Sequence, residues 1–247
     1  MKTNEREQQI ITLLRERGFI SVQELSALLF TSPSSIRRDL TRLEALGVVR
    51  RNYGGVVAAG GNPASPPIAM RSEINRTAKR AIAKKAASLV TDNMSILLDD
   101  STTAAEMIEF LTPFRGISVF TNNVETALAA TEKGFSTYLL GGALPSDSAT
   151  VTVGRFALDI LRSIHVDLCF FSTSALSAAG DLYDSTETHN LLRREMLTRA
   201  QKTVLLCDSS KFLRTSLYFC ANVGNIDYVC TDRPLPDCIP TGRATAL

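Results

Sequence analysis

The chain is poor in the residue types that most often build metal and redox centres. Its 247 residues include no tryptophan, two histidines and five cysteines. No C-x-x-C pair and no H-x-x-x-H spacing occurs, so the sequence predicts no metal site. The number of cysteines is odd and their spacing shows no pairs, so a disulfide framework is disfavoured. We expect reduced core residues at all five positions: Cys169, Cys207, Cys220, Cys230 and Cys238.

Long hydrophobic runs are also missing. The longest apolar runs, such as residues 204–207, are far too short to span a bilayer, and the polar amino end lacks the pattern of a signal peptide. We therefore expect a cytoplasmic protein with no membrane partner. The G-x-x-x-x-G-K-[ST] phosphate loop and the G-x-S-x-G elbow are absent too. Their absence disfavours ATP or GTP hydrolysis, and we assign no catalytic residue and no cofactor.

Positive charge is concentrated toward the amino end, although the formal net charge of the whole chain is only +2. Residues 1–90 contain 15 Lys and Arg against 7 Asp and Glu, a net +8, whereas residues 91–247 contain 12 against 18, a net −6. A basic run alone fits a solvated surface as well as it fits a polyanionic partner. Together with the helical pattern described next, it favours nucleic acid.

The stretch 32–46 has the pattern of a DNA-recognition helix. Ser32 is placed as an N-cap and Pro33 suits the first helical position. A core-facing apolar stripe is formed by Ile36, Leu40, Leu43 and Leu46, and the opposite face carries Arg37, Arg38 and Arg42. Helical patterns over 4–17 and 21–29 precede this stretch, and an Arg- and Gly-rich hairpin follows it. Three helices and a hairpin predict a winged helix-turn-helix.

A segment rich in Gly, Pro and small residues, 58–67, follows the hairpin and has a linker composition. We expect a winged helix-turn-helix over 1–57, a linker over 58–74 and an α/β domain over 75–247. A helix is predicted over 71–90. Its dry face would carry Ile74, Ala78, Ile82 and Ala86, and its wet face Arg76, Lys79, Arg80, Lys84 and Lys85.

From residue 94 onward, short apolar runs alternate with helical stretches. This alternation predicts a mainly parallel, Rossmann-like sheet covered on both faces, in which ligands bind beyond the carboxyl ends of the strands. The run 99–103, Asp-Asp-Ser-Thr-Thr, is placed to hold an anion, although the local sequence alone favours a helix cap. Polar or Gly-rich residues at the other strand ends support a pocket: Thr121, Asn122, Asn123, Gly141, Gly142, Asp184, Glu187 and Lys211. Of the two histidines, His165 is expected to be structural. His189 is placed either to line the pocket or to face solvent, and we favour solvent.

The run Ser32...Ser35-Ile36-Arg37-Arg38-Asp39-Leu40, with Leu43-Glu44, Gly47 and Gly54-Gly55 after it, resembles the DNA-binding domain of the DeoR family of bacterial transcriptional regulators. Ser35 stands where the family signature has Thr, so a hydroxyl is kept, and Tyr53 stands where the family usually has His. The order of the later motifs is similar to the DeoR-type sensor domain, which is similar in fold to ribose-5-phosphate isomerase and the CoA transferases.

This resemblance implies a sensor for a phosphorylated sugar or a related metabolite. Phosphate would be held by Ser101, Thr102 and Thr103, hydroxyls would meet Asp99 or Asp100 and Asn122, and Lys211 would supply positive charge. Many relatives carry a basic residue shortly after the Gly141-Gly142 pair, where this chain has Leu144-Pro145, and that departure weakens the case for a phosphate monoester. Arg155, at the start of the next predicted helix, is either a substitute for that cation or a surface residue.

Two functions remain open from the sequence. The first is a transcriptional regulator, a repressor of carbohydrate-metabolism genes, that binds double-stranded operator DNA as a homodimer or homotetramer. Its DNA contacts would come from Ser32, Ser34, Ser35, Arg37, Arg38, Arg42, Arg51 and Tyr53. The second is a phosphosugar isomerase-like or CoA-transferase-like enzyme with an attached DNA-binding domain. Its general base would be Asp184, Glu187 or Asp208.

Overall fold

A computed structural model describes residues 3–17, 19–52, 55–58, 68–145 and 148–247. The chain divides into two compact units, Met1–Ile74 and Asn75–Leu247. The predicted linker 58–74 includes the last residue of a strand and a short helix, Ile68–Glu73, and lies within the first unit. No helix in the described part of the chain is long and apolar enough to cross a membrane.

The amino-terminal unit is a winged helix-turn-helix. Its elements are α1 (Thr3–Arg17), β1 (Phe19–Ser21), α2 (Val22–Leu28), α3 (Pro33–Ala45), β2 (Val49–Asn52), β3 (Gly55–Ala58) and α4 (Ile68–Glu73). The strands form an antiparallel sheet in the order β1-β3-β2, in which β2 and β3 are the predicted hairpin. The three helices α1–α3 share one apolar core built around Ile10, Leu25, Ile36, Leu40 and Leu43.

Local side chains explain where α2 and α3 begin. Ser21 and Glu24 form a capping box at the start of α2, since each side chain bonds the backbone N–H of the other. At the start of α3, the Ser32 hydroxyl accepts a hydrogen bond from the Ser35 N–H at 3.3 Å, and Pro33 is the first helical residue. The recognition helix therefore starts where its sequence predicts.

A buried ion pair joins α1 to α3. Asp39 is buried in the unit, and its carboxylate accepts hydrogen bonds from Nε and from a terminal nitrogen of Arg6, the latter at 2.9 Å. The bidentate geometry of a guanidinium on a carboxylate fixes orientation as well as distance. Asp39 thus has an internal role, whereas Arg37 and Arg38 beside it face outward.

The second unit is built on a seven-stranded parallel sheet. Its strands are β4 (Ser95–Leu98), β5 (Ser118–Thr121), β6 (Ser136–Leu139), β7 (Val166–Phe171), β10 (Ala200–Cys207), β12 (Tyr228–Thr231) and β13 (Thr245–Ala246). Their spatial order is β13-β12-β10-β7-β4-β5-β6. The chain runs from β4 to one edge and then from β7 to the other, so β4 and β7 flank the point where the strand order reverses. Ligands of open α/β sheets bind at that point.

Helices cover both faces of this sheet. They are α5 (Arg76–Ala86), α6 (Thr102–Ala105), α7 (Met107–Leu111), α8 (Val124–Glu132), α9 (Arg155–Arg162) and α10 (Glu187–Thr198). Helices α5–α8 pack on one face, and α9 and α10 pack on the other. A small antiparallel sheet lies beside α10, with the strands β8 (Ala175–Leu176), β9 (Asp181–Asp184) and β11 (Tyr218–Asn222). The predicted α/β class is confirmed.

The predicted helix over 71–90 is interrupted. Helix α4 ends at Glu73 and α5 begins at Arg76, because Asn75 lies in the left-handed region with φ +54°. Asparagine tolerates this conformation better than most residues. Its side-chain amide donates to Asp208 Oδ1 and Ser210 Oγ, both at 3.1 Å, which ties the start of α5 to the end of β10.

The cysteines are free, but one of them is not a core residue. Cys169, Cys207, Cys220 and Cys230 are buried, whereas Cys238 is exposed. Burial raises the pKa of the Cys207, Cys220 and Cys230 thiols to about 12, so thiolate is scarce at neutral pH.

We predict that one thiol per chain reacts quickly with a maleimide at pH 7, because only Cys238 is both exposed and outside the core. Mass spectrometry of the labelled protein would locate the modified residue. Rapid labelling of two or more thiols in the folded protein would contradict this arrangement.

Candidate functional site

Two arginines on the exposed face of α3 lack an acidic partner among the described residues. Arg37 and Arg38 are both exposed and form no ion pair with a residue in the described ranges. Arg42 is also exposed, but it lies 3.8 Å from a Glu7 carboxylate oxygen. Arg37 and Arg38 are therefore available to an external anion.

Three serine hydroxyls gather at the amino end of the same helix. Ser32 Oγ lies 3.0 Å from Ser34 Oγ and 3.0 Å from Ser35 Oγ. The N–H groups of a helix start favour negative charge, and short hydroxyl side chains allow a phosphate or a base edge to approach. The start of α3 thus combines hydroxyl donors with the positive end of a helix dipole.

Arg51 of the hairpin is engaged with α3. Its Nε lies 3.2 Å from Glu44 Oε2, and a terminal nitrogen donates to the Arg37 carbonyl at 2.9 Å. Arg51 therefore braces strand β2 against the recognition helix while remaining exposed. Tyr53, at the tip of the predicted wing, lies outside the described residues.

In the second unit, a buried arginine donates hydrogen bonds to three aspartates near the end of β4. Arg193 of α10 bonds Asp99 Oδ2 through Nε at 2.9 Å and Asp100 Oδ1 at 3.2 Å, and a terminal nitrogen bonds Asp184. All four side chains are buried. Burial alone lowers the pKa of Arg193, but the three carboxylates raise it well above its usual value, so the guanidinium stays charged.

Asp99 holds the cluster to two strand ends. Its carboxylate accepts the N–H groups of Ser101, after β4, and Ser172, after β7, each at 3.0 Å. Burial raises the pKa of this carboxyl, and Arg193 opposes the rise. Asp99 and Asp184 thus hold the Arg193 side chain in place, and their carboxylates are occupied by these bonds within the protein.

His189 does not face solvent as the sequence predicts. It lies one turn before Arg193 on α10, and its Nδ1 is 2.8 Å from Asp100 Oδ2. Its side chain is largely buried. Asp100 is therefore shared between an imidazole and a guanidinium at the carboxyl edge of β4, while His165 is exposed.

Two lysines lie at the same edge of the sheet. Lys79, predicted on the wet face of its helix, is only 5% exposed and donates from Nζ to Thr102 Oγ1 at 2.8 Å. Lys211 donates from Nζ to Ser172 Oγ at 2.8 Å and lies 3.5 Å from Asp208 Oδ2. The buried face of an amphipathic helix normally excludes lysine, so the burial of Lys79 indicates a specific role.

Asp208 links the two lysines electrostatically. Burial acts to raise the pKa of its carboxyl, but Lys211, the hydroxyl of Ser210, the amide of Asn75 and Lys79 together hold that pKa below its usual value. Asp208 is thus ionised at neutral pH and keeps both ammonium groups near it.

The remaining predicted pocket residues lie in different environments. Asn122 is fully buried, and its Oδ1 has no hydrogen-bond partner among the described atoms. Asn123 caps α8, the Thr121 hydroxyl bonds the Asn123 N–H, and Ser101 caps α6, which are structural roles. The positions of the others are as follows: Thr103 is buried, Gly141 is half-buried, and Gly142 and Glu187 are exposed.

The carboxylates considered as general bases are already engaged or lie outside the cluster. Asp184 bonds Arg193, Asp208 bonds Ser210 and Asn75, and Glu187 is exposed. No group of three or more His, Cys, Asp or Glu within the described ranges is arranged to hold a metal ion.

A winged helix-turn-helix joined to an α/β domain with a polar strand-end site defines a ligand-responsive DNA-binding regulator. The sequence profile of the DeoR-like helix-turn-helix domain matches residues 6–60, and that of the DeoR C-terminal sensor domain matches residues 74–233. The chain belongs to the DeoR family of transcriptional regulators, and is a regulator rather than an enzyme.

Curated relatives are similar over almost their whole length. The L-fucose operon activator of Haemophilus influenzae is 32% identical over 95% of this chain and 94% of that protein. A putative aga operon transcriptional repressor of Escherichia coli is 33% identical over 95% and 88%. The glycerol-3-phosphate regulon repressor of Haemophilus influenzae is 28% identical over 94% and 90%.

Solved structures with a similar fold are more distant. Ribose 5-phosphate isomerase A from Methanocaldococcus jannaschii has a TM-score of 0.42 at 19% identity, covering 56% of this chain and 55% of that chain. Translation initiation factor eIF-2B from Pyrococcus horikoshii has a TM-score of 0.46 at 14% identity, covering 87% and 74%. Likenesses this remote do not bear on function.

Proposed function

We propose that this chain is a cytoplasmic repressor of carbohydrate-metabolism genes, that it binds double-stranded operator DNA as a homo-oligomer, and that a phosphorylated sugar or related metabolite controls it. The names of the relatives support the gene class, since they include an aga operon repressor and a glycerol-3-phosphate regulon repressor. The observation that carries the choice of effector is the pair of lysines at the reversal point of the sheet, Lys79 and Lys211.

The electrostatics of this pair favour an anionic ligand. Each ammonium donates to a hydroxyl at a strand end, Thr102 after β4 and Ser172 after β7. Asp208 lies 3.5 Å from Lys211, and Lys79 also lowers the pKa of its carboxyl, so both ammonium groups lie in one region. A phosphate bound there would accept charge-assisted hydrogen bonds.

The neighbouring groups suit the sugar portion. Asp100 and His189 lie at the same strand end and can accept or donate hydrogen bonds to hydroxyls. Ser101, Thr102 and Thr103 would line the phosphate, and Asn122, whose Oδ1 lacks a described partner, would meet a further polar group.

The DNA-binding role is assigned to the outer face of α3 and its amino end. Arg37 and Arg38 would reach phosphates and base edges, with Ser34 and Ser35 near bases. Ser32, Arg42 and Arg51 would contribute from the edge of this surface, and Tyr53 from the wing. A single module of this size has little surface for specific binding, so two or more copies on repeated half-sites are expected.

We predict that Lys79→Ala and Lys211→Ala each weaken binding of the effector at least about tenfold, because each removes a charge-assisted hydrogen bond to phosphate. Calorimetry with a panel of sugar phosphates and the parent sugars would identify the ligand and measure the loss. DNA affinity without ligand should stay at the wild-type value.

Lys84→Ala is the matched control, since Lys84 lies on the same helix as Lys79 but is exposed. Equal affinities of a sugar phosphate for the wild type and both lysine variants would disprove the site. Binding of an unphosphorylated sugar alone would disprove the ligand class.

A further inference from the structure

The chain passes from the first compact unit to the second between two neighbouring residues that are each held in place. Ile74, the last residue of the first unit, packs against the apolar core of that unit. Asn75, the first residue of the second unit, donates two side-chain hydrogen bonds to residues just after β10. A movement of Asn75 therefore reaches a packed residue of the DNA-binding unit through a single peptide bond.

Asn75 does not behave as an asparagine at a helix start usually does. An N-cap residue normally has an extended backbone, and its side chain accepts a hydrogen bond from an N–H group of the first turn. Asn75 precedes α5 with φ +54° and ψ +29°, and its side chain makes no capping hydrogen bond. The left-handed conformation costs free energy in any residue with a side chain, and such costs concentrate at functional and switch positions. Helix α5 thus gives up local stability while Asn75 makes contacts elsewhere.

These contacts lead to the two lysines at the strand ends, Lys79 and Lys211, which we call the lysine site. The Asn75 amide lies 3.1 Å from Asp208 Oδ1 and 3.1 Å from Ser210 Oγ. The other carboxylate oxygen of Asp208 lies 3.5 Å from Lys211 Nζ. One buried carboxylate therefore contacts the junction residue through one oxygen and a lysine of the site through the other.

The backbone of Asn75 is linked to the second lysine of the site. Its carbonyl accepts a hydrogen bond from the Lys79 N–H at 3.0 Å, in the first turn of α5. The Lys79 ammonium group in turn donates to Thr102 Oγ1 after β4. Asn75 is thus connected to both lysines, through Asp208 on one side and through the first turn of α5 on the other.

We propose that Asn75 is the positioning residue that transmits occupancy of the lysine site to the DNA-binding unit. A phosphate that accepts hydrogen bonds from Lys211 competes with Asp208 for the same ammonium group. Asp208 then shifts relative to Lys211, and its contact with the Asn75 amide changes. A ligand that binds the two arrangements with different affinities shifts the balance between them. The inference rests on the proposed function, because it takes the lysine site as the place where the effector binds.

Asn75→Gly is expected to uncouple the two functions of the chain without abolishing either. Glycine adopts the left-handed backbone readily but lacks the amide. The affinities for operator DNA alone and for the effector alone should stay within about threefold of the wild type, as for most substitutions at exposed positions. The factor by which the effector changes DNA affinity, typically about 5–150-fold in allosteric proteins, should fall at least about fivefold toward one.

Fluorescence anisotropy and calorimetry on the full chain measure these quantities. The probe is the sugar phosphate of the calorimetric panel that the wild type binds most tightly, and inorganic phosphate is tested beside it. Anisotropy with DNA selected by the wild-type chain, with and without saturating probe, gives the coupling factor. Titration of the probe into free and DNA-bound protein must give the same factor, since coupling is reciprocal. Circular dichroism checks folding.

Asn93→Gly is the matched control. Asn93 is also an exposed asparagine of the second unit with a left-handed backbone, at φ +64°. It lies just before β4, at the opposite edge of the sheet from the lysine site. The same chemical change at this position should leave the coupling factor at the wild-type value.

Ser210→Ala gives an independent test of the same contact. It removes one of the two acceptors of the Asn75 amide and should lose part of the coupling. The double variant Asn75→Gly, Ser210→Ala should lose no more than Asn75→Gly alone, because residues that act through one contact are not additive. Additive losses would contradict the role of this contact.

The outcomes distinguish this inference from the proposed function. If no sugar phosphate binds the wild type and changes its DNA affinity, the proposed function is wrong and the inference fails with it. If the probe acts on the wild type and Asn75→Gly keeps the wild-type coupling factor, or if Asn93→Gly loses as much, only the role of Asn75 is wrong. A loss of probe affinity in Asn75→Gly as large as the loss of coupling would show that Asn75 supports the binding site itself, which also overturns the inference.

Discussion

Replacing Arg38 with alanine is expected to weaken operator binding by about tenfold or more while leaving the fold intact. Arg38 is exposed on α3 and has no ionic partner among the described residues, so its loss costs nothing inside the protein. A base contact of an arginine contributes about 1–3 kcal/mol of discrimination, and a phosphate contact contributes one released counterion.

The salt dependence tells these two roles apart. If Arg38 contacts a phosphate, the slope of log K against log salt becomes shallower by about one, and all sequences lose affinity alike. If Arg38 reads a base, Arg38→Lys keeps the charge but loses the bidentate fork, so specificity falls more than affinity. Fluorescence anisotropy with DNA selected by the wild-type chain measures both quantities.

The controls follow from the ion pairs. Arg115→Ala removes the same charge from an exposed position in the second unit and should leave DNA affinity unchanged. Arg42→Ala should have a smaller effect than Arg38→Ala, because Arg42 already lies near Glu7. Wild-type affinity and salt slope in Arg38→Ala would remove this face of α3 from the DNA-binding surface.

The recognition helix could be predicted because its signals are local. An N-cap at Ser32, a proline at the next position and apolar residues at helical spacing determine where α3 starts and which side it buries. The parallel sheet was predictable for a similar reason, since continuous apolar runs separated by helices have few alternative arrangements. The strands of the small antiparallel sheet, β8, β9 and β11, were not predicted.

The residues that sequence reasoning misplaced depend on distant partners. Asn75 interrupts the predicted helix because its amide bonds Asp208 and Ser210, which lie more than 130 positions along the chain. Lys79 is buried because Thr102 receives its ammonium group. Those partners lie outside residues 71–90, so the pattern of apolar residues within that range could not reveal them. The local signal for Lys79 was weak but present, since it lies three residues before buried Ile82 on the same helix.

Arg193 was missed because an arginine on a helix is usually exposed. It shares a face with buried Asn190 and Met196, which was the available clue.

Replacing Arg193 with methionine is expected to destabilise the second unit by about 3–5 kcal/mol at pH 8, because three buried carboxylates lose the cation that compensates them. Arg193→Lys should lose less, since it keeps the charge without the planar fork.

The pH dependence of that loss follows from burial. Burial raises the pKa of Asp99 in the folded protein and Arg193 opposes the rise, so removing Arg193 raises this pKa further above its unfolded value. The folded variant then binds more protons than its unfolded chain, and its stability falls as pH rises. In urea unfolding, the variant should therefore lose less free energy of unfolding, relative to the wild type, at pH 5 than at pH 8.

Tyrosine fluorescence is a suitable signal, because four of the five tyrosines lie in the second unit. The control is Arg194→Met, at the exposed neighbouring position; equal stability of the two methionine variants at pH 8 would show that the aspartate cluster does not depend on Arg193.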